Sequence, residues 1–198
     1  MIMKKTFFSA ALLLTMNAAF SQHFMHGAGL AFMGGVSNHG DDFSYAEGFT
    51  YSPRFNFVEN EKLSVSAGIP LTAALSASYS YSSYYGSTTS IGFTANVPLI
   101  INLNMGRGST KENRQKFGYF VGAGFGYHHG DFLETAYDEY GYSYDYSRSV
   151  NTVGPAANAG VRFGVGRQHR NIEVRLSYMK GITDTKPHIF GIAGLFNF

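Results

Sequence analysis

Most of this chain alternates large apolar side chains with small ones at a period of two. Apolar residues at i, i+2 and i+4 mark β-strands, because successive side chains of a strand point to opposite faces. Eight segments carry the pattern: 28–36, 48–58, 63–77, 91–105, 117–128, 150–165, 172–179 and 189–198. In 91–105 one face reads Ile91, Phe93, Ala95, Val97, Leu99, Ile101, Leu103 and Met105. The other reads Gly92, Thr94, Asn96, Pro98, Ile100, Asn102 and Asn104. In 117–128, Phe117, Tyr119, Val121, Ala123, Phe125 and Tyr127 alternate with Gly118, Phe120, Gly122, Gly124 and Gly126. A helical period would not keep this phase through eight segments.

The second face decides the environment. It is small and polar and almost free of the Lys and Glu that a water-facing sheet displays. Only 14% of all residues are charged, against about 25% in an ordinary soluble domain. Small polar side chains fit the crowded interior of a narrow closed barrel, which leaves the large apolar face outward, where only hydrocarbon accepts it. A sheet in hydrocarbon has to close, because an open edge strands N–H and C=O groups without partners. The pattern therefore predicts an all-β fold, an eight-stranded antiparallel up-and-down transmembrane β-barrel. Pro53 and Pro155 fall on the outward face and are expected to mark bulges or breaks in pairing.

Residues 1–21 read as a cleaved secretory signal peptide. Lys4 and Lys5 are followed by an apolar run from Phe7 to Met16 and the small residues around Ala19 and Ser21. Residues 22–198 then form one domain, the barrel. Loss of the two lysines brings the formal charge from +2 to zero, so charge carries no sign of a nucleic-acid partner. With no cysteine, disulfides and thiolate metal sites are excluded. The connectors fall into two sets. Three, at 59–62, 106–116 and 166–171, are basic with a net charge of +4. Four, at 37–47, 78–90, 129–149 and 181–187, are mostly longer and, with Lys180, carry −6. Three short turns and four outer loops match an eight-stranded barrel with both termini on the periplasmic side.

These residues resemble a small bacterial outer-membrane β-barrel protein. The resemblance rests on the leader, the eight alternating segments and the final stretch 190–198, FGIAGLFNF. Such barrels commonly end in an aromatic residue preceded by alternating apolar ones. By this resemblance Phe196 and Phe198 form the signal read by the barrel-assembly machinery, although Gly194 stands one place from the usual glycine. Segment 97–104, VPLIINLN, resembles the barrel families of Bacteroidota-type bacteria. The resemblance implies the outer membrane of a Gram-negative bacterium, with outer-membrane lipid and the assembly machinery as partners. A soluble lipocalin fits poorly, since there is no tryptophan and the chain ends in a strand.

Four charged residues lie on the inward phase: Arg54, Arg162, Glu173 and Arg175. Each sits in the turn-proximal part of its strand. Buried charge is costly unless paired, so Glu173 is expected to pair with these arginines as a structural plug rather than a gate. Tyr84, Tyr85, Tyr137, Tyr140, Tyr142 and Tyr144 crowd two outer loops and offer a recognition surface at the cell exterior. The near-alternating run Tyr140–Tyr146 suggests strands that continue above the membrane as a hairpin. Tyr79, Tyr127 and Tyr178 fit an interfacial girdle.

His39, His128, His129 and His188 fall near the outer rim, without diagnostic ligand spacing. Ser37, His39 and Asp41 echo the arrangement of outer-membrane lipid A deacylases, but three residues in one short loop make a poor triad. The reading is a filled barrel, a monomer with no cofactor, metal or catalytic residue. It serves a structural or surface-recognition role toward an extracellular ligand or protein. The alternatives are a narrow conduit or export-assembly component, and a lipid-modifying enzyme.

Overall fold

The computed structural model describes residues 24–36, 43–82, 86–137, 143–166, 169–183 and 186–198, and no side chains at 43, 77–82, 86–90, 132–137 and 143–147. The leader, the Ser37–His39–Asp41 stretch and Tyr84, Tyr85, Tyr140 and Tyr142 lie outside the described residues.

Nine strand segments follow in order. They are β1 (Phe24–Val36), β2 (Phe43–Glu59), β3 (Leu63–Gly68), β4 (Leu71–Ser82), β5 (Gly86–Gly106), β6 (Phe117–Tyr137), β7 (Ser143–Gly164), β8 (Asn171–Lys180) and β9 (His188–Asn197). Neighbours pair antiparallel, and β1 pairs with both β2 and β9, which closes the ring. β3 and β4 share one place between β2 and β5, so the nine segments make an eight-stranded barrel.

The break between β3 and β4 falls at Ile69 and Pro70. Register runs on across it, from Tyr51↔Leu71 to Arg54↔Gly68. Pro53, Pro70 and Pro98 lie close together on adjacent strands, where three ladder N–H donors are missing at once. Ile69 N–H still donates to Pro53 O at 3.1 Å. Pro53 therefore interrupts pairing without a bulge. The shift in register falls beyond it, between Asn56 and Val58, and leaves Phe57 and Val58 both facing outward. Pro155 sits where the β7–β8 ladder stops, one residue past Ala156↔Met179.

Five strands, β2 and β4 to β7, run at least five residues beyond their apolar alternating segments. The β4–β5 ladder continues to Ser82↔Gly86 and the β6–β7 ladder to Tyr137↔Ser143. Much of 78–90 is thus strand, not loop, and 129–149 continues as a hairpin of the kind that the Tyr140–Tyr146 run suggests. Ser, Thr and Tyr are frequent in these extensions, and Thr and Tyr suit an extended backbone.

The two faces are sorted as the alternation predicts. Phe49 is 74% exposed and Ile91 77%, both pointing away from the axis. Ser64, Ser66, Asn104, Asn171 and Glu173 are wholly buried inside.

Candidate functional site

The lumen near the short turns is organised around Glu173, on β8. Its inward phase and the register Arg162↔Glu173 place it beside Arg162 of β7. Arg162 Nε donates to Glu173 Oε2 at 2.7 Å, and Arg54 Nη1, from β2, reaches the same oxygen at 3.5 Å. Arg175, two residues along β8, donates to Oε1 through Nε at 2.9 Å and also through Nη2. Asn197 Nδ2 adds a bond to Oε2 at 3.2 Å. One fully buried carboxylate thus holds three buried guanidinium groups drawn from three strands. Removing one member of such a cluster leaves charges buried without compensation.

The other faces of the arginines are also partnered. Arg162 Nη1 donates to Asn104 Oδ1 at 2.9 Å, and Arg175 Nη2 to Ser52 Oγ at 2.9 Å. Phe120 lies beneath them, with the Arg162 guanidinium 4.2 Å and that of Arg175 5.7 Å from the ring centre. Such an approach of a cation to a ring face is favourable. Gly160, opposite Phe120 in the register, makes room for it, since a Cβ there would come within 2.6 Å of the ring.

The connector 106–116, expected as a plain charged turn, instead folds into the end of the barrel. Arg107, Ser109, Thr110 and Asn113 are buried. Gly108 O accepts from Arg54 Nη2 at 3.0 Å and Arg162 Nη1 at 3.2 Å. Ser109 O accepts from Asn56 Nδ2 at 2.7 Å and Ser64 Oγ at 2.6 Å. Gly108 has φ of 73°, and a Cβ on it would lie 2.9 Å from Arg162 Cδ, so a glycine suits both the backbone and the space. Arg107 locks the segment to the next turn by donating to Arg170 O at 2.8 Å. Beside that contact, partial burial and then Lys111, Arg170 and Arg107 hold the His169 imidazole below its ordinary pKa, against the opposite pull of Glu112.

Above this cluster the lumen narrows to an apolar layer of Met33, Ile100, Val150, Ala156, Met179 and Ile189. Towards the long hairpins it becomes polar again, with Ser76, Thr94 and His128 buried. Part of this end is covered by the segment after β8, where Thr183 Oγ1 donates to Thr152 Oγ1 at 2.8 Å and Gly181 N–H to Pro187 O at 2.8 Å.

The histidines diverge. His128 points into the lumen, whereas His129 faces outward with Nδ1 2.9 Å from Asn151 Oδ1. His188 Nδ1 lies 2.8 Å from the Tyr178 hydroxyl on the outer surface. Among the described residues no group of three His, Asp or Glu side chains converges as a metal site. Tyr137 and Tyr144 stand at the far end of the β6–β7 hairpin. Phe196 and Phe198 are outward, 6.3 Å apart and stacked, and His26 packs on Phe198 at 4.3 Å.

Sequence reasoning did not assign a role to Phe120 or to the carbonyls of Gly108 and Ser109. For Phe120 a signal existed: one large residue on an otherwise glycine-lined face. The carbonyls have no side-chain signature, and only the spacing of Gly106 and Gly108 hints at them.

No protein-family model matches the chain, and no curated protein matches it. Solved structures do resemble it. Neisserial surface protein A (NspA) superposes with a TM-score of 0.50 at 12% identity, covering 88% of this chain and 95% of that one. Ail, the attachment invasion locus protein of Yersinia pestis, gives 0.48 at 14% identity, with 89% and 99% covered. OprG, an outer membrane protein of Pseudomonas aeruginosa, gives 0.45 at 11% identity, with 89% and 96% covered. The likeness to NspA establishes the fold as a closed antiparallel barrel of eight ring-bonded strands.

Proposed function

We propose that this chain is an integral outer-membrane β-barrel with a filled lumen, whose long hairpins do structural or recognition work at the cell surface. The observation that carries the reading is the ring of exposed large apolar side chains around a polar, packed interior. Water would penalise that exterior by roughly 25 cal/mol for each Å², whereas hydrocarbon accepts it. Aromatic residues gather towards both edges of the ring. Phe117, Tyr119, Phe163, Phe196 and Phe198 stand at the turn end, and Tyr45, Tyr127, Tyr178 and Phe190 at the hairpin end. From Tyr119 to Tyr127 is nine residues of β6, about the length that a tilted strand needs to cross the apolar core. Aromatic girdles at both interfaces are a habit of such barrels.

On this reading residues 1–21 are removed on export, both termini face the periplasm, and Phe196 and Phe198 serve the assembly machinery. The barrel is a monomer in outer-membrane lipid, and the segment 97–104 supports a Bacteroidota-type origin. The hairpin β6–β7, with Tyr137 and Tyr144 near its tip, carries the recognition surface. The clustered arginines and the folded-in turn favour a closed lumen over a conduit.

The test is an epitope inserted between residues 138 and 142, in cells that export the full chain. Antibody binding to intact cells is expected, with the protein in the outer-membrane fraction. Binding only after permeabilisation would overturn the assignment. Planar-bilayer recording of the purified barrel is expected to show no steady open channel.

A further inference from the structure

We infer that the lumen holds a small monovalent inorganic anion, of the size of chloride, between the Glu173 cluster and the apolar layer. Arg54, Arg162 and Arg175 meet one carboxylate. Among the described residues Glu173 alone lies within ion-pair distance of them. The four groups carry two positive charges in excess, and all four are buried. Carbonyl oxygens and the Phe120 ring soften that excess but do not neutralise it, and a buried uncompensated charge is among the costliest things a fold can hold.

The place for a counter-ion is already built. A cavity of about 40 Å³ borders Arg175, with Ser177, Thr50, Thr72, Asn96 and Asn158 around it. One water needs roughly 10–15 Å³ of such space, so the cavity takes an anion with one or two waters. Its lining is mostly apolar, with a small set of polar groups on one side. Arg175 brings charge, Ser177 a hydroxyl, and Asn96 and Asn158 their amides. The side-chain oxygens of Asn96 and Asn158 are buried and accept no hydrogen bond among the described residues, so water held with the ion would find acceptors there. Such bridging waters are nearly as good as direct hydrogen bonds. Apolar Met33, Ile100, Met179 and Ile189 line the other side, and such low-dielectric surroundings strengthen the attraction between the ion and Arg175.

The experiment uses the purified full barrel in detergent, refolded in potassium chloride, bromide or gluconate at one ionic strength. Gluconate is too large for the cavity. The melting temperature is expected to rise with chloride or bromide, by about 3–5 °C for each tenfold increase above the dissociation constant, and to stay flat in gluconate. Asn158→Leu, which leaves the ion pairs intact, is expected to remove the halide dependence while the barrel still folds. Crystals grown in bromide are expected to show its anomalous signal beside Arg175. Equal melting temperatures in all three salts, an undiminished halide effect in Asn158→Leu, or bromide confined to the surface would each overturn the assignment.

Discussion

The two ends of the lumen are built by opposite means. At the turn end, long charged side chains from β2, β7 and β8 converge on one carboxylate, and a connector folds inward to cap them with backbone carbonyls. At the hairpin end the inward side chains carry no such ion-pair cluster among the described residues, with Ser76, Thr94 and His128 buried there, and the strands leave the ring as paired ribbons. The first end is over-determined, since each arginine has several partners and each partner belongs to a different element. The second is held mainly by the ladder itself. Stability should therefore concentrate at the turn end and freedom to vary at the other.

The largest expected effect tests that asymmetry at its centre. Glu173→Ala leaves three guanidinium groups without their carboxylate and should cost about 3–5 kcal/mol in urea unfolding of the refolded barrel. A loss under about 1 kcal/mol would mean that the cluster does not organise this end. Phe120→Ala opens a cavity under two arginines and should cost about 3 kcal/mol by the same assay. Gly108→Ala, which forces a side chain onto a positive φ and against Arg162, should cost about 1–3 kcal/mol. At the other end Tyr127→Phe removes one exposed hydrogen bond to Asn151, 2.7 Å long, and should cost about 0.5–1 kcal/mol. Smallest of all, excising 134–146 should change barrel stability by less than about 0.5 kcal/mol, although the proposed recognition surface goes with it. A large loss from that excision would erase the contrast between the ends.

How far the sequence foretold this depends on which physical signal each feature leaves. The faces were legible because a strand has no choice but to alternate, and the small-polar side could only be inside. The meeting of Arg54, Arg162 and Arg175 around Glu173 was legible because charges on an inward phase must find one another. The β6–β7 hairpin was legible in the near-alternating Tyr140–Tyr146 run, whereas the run-on of β4 and β5 to Ser82↔Gly86 was not, because that stretch is dominated by Ser and Thr and carries little apolar alternation. The inward fold of 106–116 was hidden for a different reason. Its bonds are made by the carbonyls of Gly108 and Ser109, which every residue possesses, and its charged residues looked like those of any solvated turn. Pro53 misled in the same way. It signalled a disturbance in pairing, but the register shift came further along, at Phe57.

The account rests on the outward face meeting hydrocarbon, and the absence of cysteine allows a direct measurement. Single cysteines at Leu99, Ile101, Val121 and Val174, all exposed on the barrel exterior, would carry nitroxide labels in the barrel reconstituted into liposomes. The account predicts frequent collisions with oxygen, which concentrates in the bilayer, and few with a water-soluble nickel chelate. Labels at these four sites that relax with the nickel chelate as readily as an exposed loop, in a barrel that stays folded without detergent or lipid, would contradict it.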